Sequence, residues 1–348
     1  MLIIDAYTHY APPRFLNYLS NQSASGSAPF ADLFSKIPAL TDLTNARIKL
    51  MDKEGVDVHV LIPLPWIDGV EEISKVDELA LEACRVCNEE MALAVATHPT
   101  RFIGVGLLPL NCTSSVMMKA YDHAVNKLGL SGVVMFLGPE NTPPDDAMYE
   151  ILYEACEKND TPIWIHPNRP PTFKDYTKTT SSQYAIWNSL GWVYDTSVAM
   201  VHIAMSGVFQ RYPGLKIVGH HGGGMVPFFT ERFETQLSNF EGDGQVLLSD
   251  LKKFYCDTAT FGYQPKNIQA CLDFFDPGRV LFGTDSPMDM ASPGYFTSTA
   301  LRSVEALEGG AESKEKVLFE NALAFFGRNG ERLRELYREK KRGGKSKL

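Results

Sequence analysis

Apolar and polar positions along this chain follow two different periods. Short, near-continuous apolar runs recur at 2–5 (LIID), 57–64 (DVHVLIPL), 102–110 (FIGVGLLPL) and 131–138 (SGVVMFLG). They continue at 161–167 (TPIWIHP), 215–222 (LKIVGHHG), 253–260 (KFYCDTAT) and 279–287 (RVLFGTDSP). Parallel strands covered on both faces carry this pattern. Between the runs, apolar residues return every three or four positions, which predicts helices over 45–55, 77–99, 115–129, 146–160, 195–214, 225–240 and 264–275. Gly55 and Gly129 stand where a helix C-cap glycine belongs. Eight strands alternating with helices predict an α/β fold, a (β/α)8 TIM barrel. A doubly wound open sheet would favour a Gly-rich phosphate loop after its first strand, and DAYTHYAPP is not one.

Two connections are long. Residues 17–42 are rich in Ser, Ala and Pro, and residues 167–194 mix Pro with aromatics. Above a barrel both would lie over the C-terminal mouth, as lids or interface segments. The expected organisation is one barrel domain over 1–327, ending near FENALAFFG, followed by a charged helix and tail over 328–348. The last ten residues, EKKRGGKSKL, read as a disordered basic tail. Its final Ser346-Lys347-Leu348 is a peroxisomal address in a eukaryote; otherwise the expected location is the cytoplasm.

Composition narrows the function classes. Of 348 residues, 44% are hydrophobic and 22% charged, which fits a globular enzyme. A net charge of −9 weighs against nucleic acid as a partner. No apolar run approaches the roughly 20 residues of a membrane span, and Asp5 interrupts the apolar start, so neither a membrane segment nor a signal peptide is expected. Cys84 and Cys87 form a CxxC inside a helical pattern with no second pair, so they read as helix-face thiols and not as a zinc site. The other four cysteines read as buried thiols of a reducing compartment.

The chemistry gathers where the strands end. The first run leads into Tyr7-Thr8-His9, the fifth ends at His166, the sixth at His220-His221 before three glycines, and the eighth at Asp285. Each alone has an ordinary explanation: a hydrogen-bonded histidine, a helix N-cap, a tight turn. Together, on the same register of a parallel barrel, they converge on one rim. Imidazoles and a carboxylate are ligands for Zn²⁺, Mn²⁺ or Fe²⁺, with room for a water or a substrate oxygen.

The segments ARIKLMDKEGVDVHVL, RFIGVGLLPL, IWIHP, GVFQRYPGLKIVGHHGGGMVPFF, FGTDSPM and NALAFFG resemble the amidohydrolase superfamily. The branch is that of aminocarboxymuconate-semialdehyde decarboxylase and benzoate-type decarboxylases, and the likeness covers roughly residues 1–327. The resemblance implies His9, His166 and Asp285 as metal ligands and His221 as the acid/base residue. His220, one residue earlier, then points the opposite way by strand alternation and reads as packing. The resemblance also implies Arg47 and Arg232 as substrate-carboxylate ligands, Arg232 coming from a neighbouring subunit and hence a homodimer. GVVMFLGPEN lacks the lysine that bridges two metals in binuclear members, so one divalent ion is expected, Zn²⁺ first, Mn²⁺ or Fe²⁺ as alternatives.

Tyr7 departs from the H-x-H or E-x-H pattern of that branch. A phenol ligates well only as phenolate, and its ordinary pKa is near 10. Three readings stay open: Tyr7 as an unusual ligand, Tyr7 ordering a water or substrate beside three ligands, or a metal-free site. The leading expectation is a metal-dependent non-oxidative decarboxylase of an unsaturated or aromatic acid, with Asp285 or His221 protonating the carbon that loses CO₂. Its rivals are a hydrolase or hydratase using metal-activated water on a lactone, C–C bond or double bond, and a metal-free barrel with a binding role.

Overall fold

Seven of the eight apolar runs form strands of parallel sheets, and the eighth, 279–287, makes only isolated bridges. In chain order the strands are β1 (Ile4–Tyr10), β2 (Val58–Pro63), β3 (Phe102–Gly104), β4 (Gly106–Leu107), β5 (Val133–Leu137), β6 (Ile163–Pro167), β7 (Ile217–Gly219) and β8 (Tyr255–Cys256). A computed structural model provides these coordinates and describes residues 1–22, 34, 36–64, 73, 76–240 and 244–345. The predicted third run yields both β3 and β4, split at Val105.

Pairing is parallel throughout, in the orders β1-β2-β3 and β4-β5-β6-β7-β8. The two sheets are joined on both sides. At the β3/β4 break, Val105 N donates to Leu61 O (3.0 Å) and Gly106 N to Gly132 O (2.8 Å). Opposite, the last predicted run bridges both neighbours: Val280 pairs with Cys256 and Ser286 with Thr8. Ala6 N donates to Phe282 O (2.7 Å), Leu281 N to Cys256 O (2.8 Å) and His9 N to Ser286 O (2.8 Å). Strand pairing therefore passes from β8 through 280–286 back to β1, the TIM-barrel arrangement that the alternating pattern predicts.

The helices follow the expected order with local changes. Gly55 and Gly129 take φ of 73° and 71° after their helices, a conformation glycine adopts without steric cost. The helix predicted from 195 begins at Trp192, ends at Met205, and resumes over Val208–Arg211 after Gly207 at φ 76°. The charged C-terminal helix runs Glu331–Lys345, so the tail expected to be disordered is helical up to that residue. Ser346–Leu348 and the middle of the 17–42 connection lie outside the described residues. All six cysteines are buried and none forms a disulfide. No helix among the described residues is long and apolar enough to cross a membrane.

One buried carboxyl ties β1 to the closing run. Asp5 is fully buried; its Oδ1 accepts from Tyr7 N (3.2 Å) and Thr284 N (3.0 Å), and its Oδ2 from the Thr284 hydroxyl. Burial pushes the Asp5 carboxyl up to about 7 against the opposing hydrogen bonds from Thr284 and Tyr7. A carboxyl that binds its proton more tightly when folded contributes stability at low pH and loses it as pH rises through its folded value. Asp5→Ala strands two buried donors, Tyr7 N and the Thr284 hydroxyl, leaves Thr284 N only its longer bond to Tyr7 O, and is expected to lose about 2–3 kcal/mol in urea denaturation. In the wild-type protein the Asp5 contribution should fall between about pH 4 and 7, a decline that Asp5→Asn removes; an unchanged profile would contradict the assignment.

Candidate metal centre and active site

The residues singled out at the strand ends come together. Ligating atoms of His9, His166 and His220 lie within 4.8 Å of one another, as do those of His220, His221 and Asp285. All five residues are buried, none more than 5% exposed. His9 Nε2 sits 2.9 Å from Asp285 Oδ1, and His220 Nε2 sits 3.4 Å from the same oxygen. Neither His220 Nε2 nor Asp285 Oδ1 has a well-directed hydrogen bond, and His221 Nδ1 is also a buried orphan. Such groups are costly without a partner, so a cluster of them facing inward suits a cation or a substrate.

Backbone geometry aims two of these side chains. Asp285 and His221 take φ of 64° and 55°, a left-handed region that non-glycine residues occupy at a cost and that gathers at functional sites. The three glycines after His221 are required by space as well as by φ. At Gly224 a Cβ would lie 2.4 Å from Val193 O, and at Gly223 it would lie 2.8 Å from the Phe275 ring. The tight turn thus lets the helix Trp192–Met205 approach the histidines.

His220 is not the packing residue that strand alternation implied. Alternation holds only within a strand, and β7 stops at Gly219. The left-handed turn at His221 then directs both imidazoles into the cluster, their ring centroids 3.7 Å apart. His220 Nδ1 pairs with Asp257 Oδ2 at 2.5 Å. Burial works against its charge, but Asp257 and Asp285 raise it to about 9. Asp285 is held well below the usual carboxylate range: burial opposes this, and the close imidazoles of His220 and His9 outweigh it. Burial, reinforced by neighbouring histidines, keeps His166 and His221 well below the usual imidazole value.

Tyr7 is fully buried and its ring stacks on His220 at 3.6 Å between centroids and 3° between planes. Its hydroxyl donates to Ile165 O at 3.2 Å. Burial, then the charges of Asp257 and Asp285, push the phenol well above its ordinary value. The geometry is that of a neutral phenol.

The two arginines do not join the cluster within this chain. Arg47 is buried, with Nε on Ala39 O (2.6 Å), Nη1 near Thr8 Oγ1 (3.5 Å) and His59 Nδ1 (3.2 Å), and Nη2 on His9 O. Thr8 alternates with Tyr7 and His9 along β1, so the guanidinium lies behind the strand end and braces it. Burial lowers Arg47 to about 9. Arg232 is exposed on the helix Thr230–Phe240.

Aromatic rings wall the cluster. Trp192 meets His166 edge-on at 5.6 Å and lies 6.2 Å from His221; Phe261 meets His221 at 5.5 Å and stacks on Phe296 at 4.4 Å. Arg169 fixes the 167–194 connection by a two-pronged bond to Asp195 (3.0 and 2.6 Å), and its carbonyl accepts from Trp192 Nε1 (3.1 Å). Among the aromatics of the 167–194 connection, Trp187 and Trp192 pack together, whereas Tyr176 and Tyr184 point to solvent. Asp257 was not singled out from the sequence, although it too ends a predicted strand, KFYCDTAT.

Arg47→Lys keeps the charge but loses the forked contacts to two backbone carbonyls. A bracing role predicts a loss of about 2–3 kcal/mol in chemical denaturation. An unchanged denaturation midpoint with a raised KM would instead show direct substrate binding.

Comparison with known proteins follows the same lines. The 2-amino-3-carboxymuconate-6-semialdehyde decarboxylase of Dictyostelium discoideum is 26% identical over 94% of this chain and 92% of its own. The 2-keto-4-carboxy-3-hexenedioate hydratase of a Sphingobium strain is 24% identical over 94% and 97%. The solved dihydroxybenzoic acid decarboxylase of Polaromonas sp. JS666, which holds manganese and the inhibitor 2-nitroresorcinol, superimposes with a TM-score of 0.76 at 21% identity, covering 93% of this chain and 96% of that one. The sequence model of the family described as Amidohydrolase matches residues 68–328, three quarters of the length, and the chain belongs to that family.

Proposed function

We propose that this protein is a metal-dependent, non-oxidative decarboxylase of an aromatic or unsaturated carboxylic acid. One observation carries the reading: buried, unpartnered imidazole nitrogens and a carboxylate oxygen converge at the strand ends beside an aromatic wall. His9, His166 and Asp285 would hold one divalent ion. Imidazoles with one carboxylate and an open position suit Zn²⁺, and Mn²⁺ is supported by the related Polaromonas enzyme. When bound, the ion supplies a fixed positive charge that orients the substrate carboxylate and an adjacent oxygen.

The remaining work falls to the chain's own groups. Trp192 and Phe261 both pack near His221 and offer apolar ring surface suited to a planar substrate. The bond between ring carbon and carboxyl carbon breaks, its electron pair stays on the ring carbon, and CO₂ leaves. That carbon takes a proton relayed by His221 or Asp285; both groups are unprotonated in the free site, so the proton reaches them from the substrate's exchangeable protons or from solvent. Arg232, exposed in its own chain, would meet a substrate carboxylate only across a subunit contact, and a homodimer is part of this proposal.

Incubation with a panel of hydroxybenzoates and carboxymuconates in D₂O is expected to release CO₂ and place one deuterium on the vacated carbon. Addition of water without CO₂ would move the assignment to the hydratase chemistry of the Sphingobium relative. Asp285→Asn should reduce kcat by about 10³-fold or more, because it removes both an acid/base group and a cation ligand. Retained turnover would refute its role.

A further inference from the structure

We propose that His220, positioned by Asp257, is the fourth protein ligand of the divalent ion, and that Tyr7 is a packing partner of that imidazole and not a ligand. The proposal rests on the metal reading above and deepens it.

The tautomers make the case. A histidine whose Nδ1–H is held by an acceptor presents its Nε2 lone pair to a metal. Nδ1 of His9 faces Ile62 O at 3.3 Å, that of His166 faces Pro167 O at 2.6 Å, and that of His220 faces Asp257 Oδ2 at 2.5 Å. A ring nitrogen of each lies within 4.8 Å of the others; Nε2 of His9 and of His220 both approach Asp285 Oδ1, and His220 Nε2 is buried there with no directed partner. Asp257 is itself fixed, its Oδ1 accepting from Gly222 N (3.1 Å) and Ala259 N (2.9 Å). A carboxylate–imidazole pair this well held needs a target on its far side. Tyr7 offers the contrary picture: its oxygen is spent on Ile165 O, and its ring face lies flat on His220.

The test is metal binding, read without turnover. Wild-type protein, stripped and reconstituted with Co²⁺, should bind about one equivalent and show one exchangeable, hyperfine-shifted Nδ1–H signal for each of His9, His166 and His220. Tyr7→Phe should keep the stoichiometry and the signals, with affinity in a chelator competition changed by about threefold or less. Asp257→Asn should weaken binding about 10–100-fold, and His220→Ala should lose its signal and weaken binding further. Circular dichroism and the apo-protein Tm check that each variant folds. Should His220→Ala fail to fold, Asp257→Asn and the count of shifted signals in the wild type still decide. A folded His220→Ala that binds like the wild type, or a Tyr7→Phe that loses the ion, overturns this proposal and leaves the metal reading standing. A wild-type protein that takes up no ion overturns both.

Discussion

The site depends on one seam, the pairing of β1 with residues 280–286. That seam is where the first and last strand positions of the barrel meet. It has four backbone bonds, from Ala6 to Phe282, from Thr284 and Asp285 to Tyr7, and from His9 to Ser286. Asp5, locked to Thr284 across 279 residues of sequence, fixes its register. A slip of one residue would turn His9 or Asp285 away from the interior, because side chains alternate along a strand. The 2.9 Å approach of His9 to Asp285 is therefore set by how the barrel closes. Arg47 adds to this from behind, bonding the His9 carbonyl and the Ala39 carbonyl at once.

Electrostatics and packing then divide the cluster into two parts. One side holds the carboxylates Asp257 and Asp285 with His220 between them, and it favours positive charge. The other side holds His166 and His221, whose imidazoles burial keeps neutral, under Trp192 and near Phe261. Water has little place among these rings, so charges introduced by a substrate would act at low dielectric, where they are strongest. The Arg169–Asp195 pair and the Trp192 indole bond keep that wall in place from the long connection after β6.

Much of this was legible in the sequence, and the exceptions have physical causes. The eight runs and their terminal residues were visible because parallel strands buried on both faces leave a near-continuous apolar signature. His9, His166 and Asp285 followed, since a barrel puts all strand ends on one rim. His220 was misplaced because counting by twos assumes that the strand reaches His221, whereas β7 ends at Gly219 and the next two residues turn. The bracing contacts of Arg47 were hidden because they are made to backbone atoms of β1 and of Ala39, which no spacing reveals. Asp5 reads as an interruption of an apolar run, and only the folded chain shows Thr284 beside it.

Charge balance completes the account of Tyr7. A buried divalent ion needs about two compensating negative charges, since isolated charge in a dry interior is expensive. In the proposed site Asp285 would supply one at the ion, and Asp257, paired with His220, would supply the other. A phenolate would add a third negative charge next to both carboxylates, which are the groups that already hold the Tyr7 proton in place. A neutral phenol adds none. It covers the His220 ring with an apolar face and donates its one proton in a hydrogen bond to Ile165 O; on the proposal above, His220 and Asp257 would then supply the nitrogen donor and the charge that a strand-1 ligand would have given.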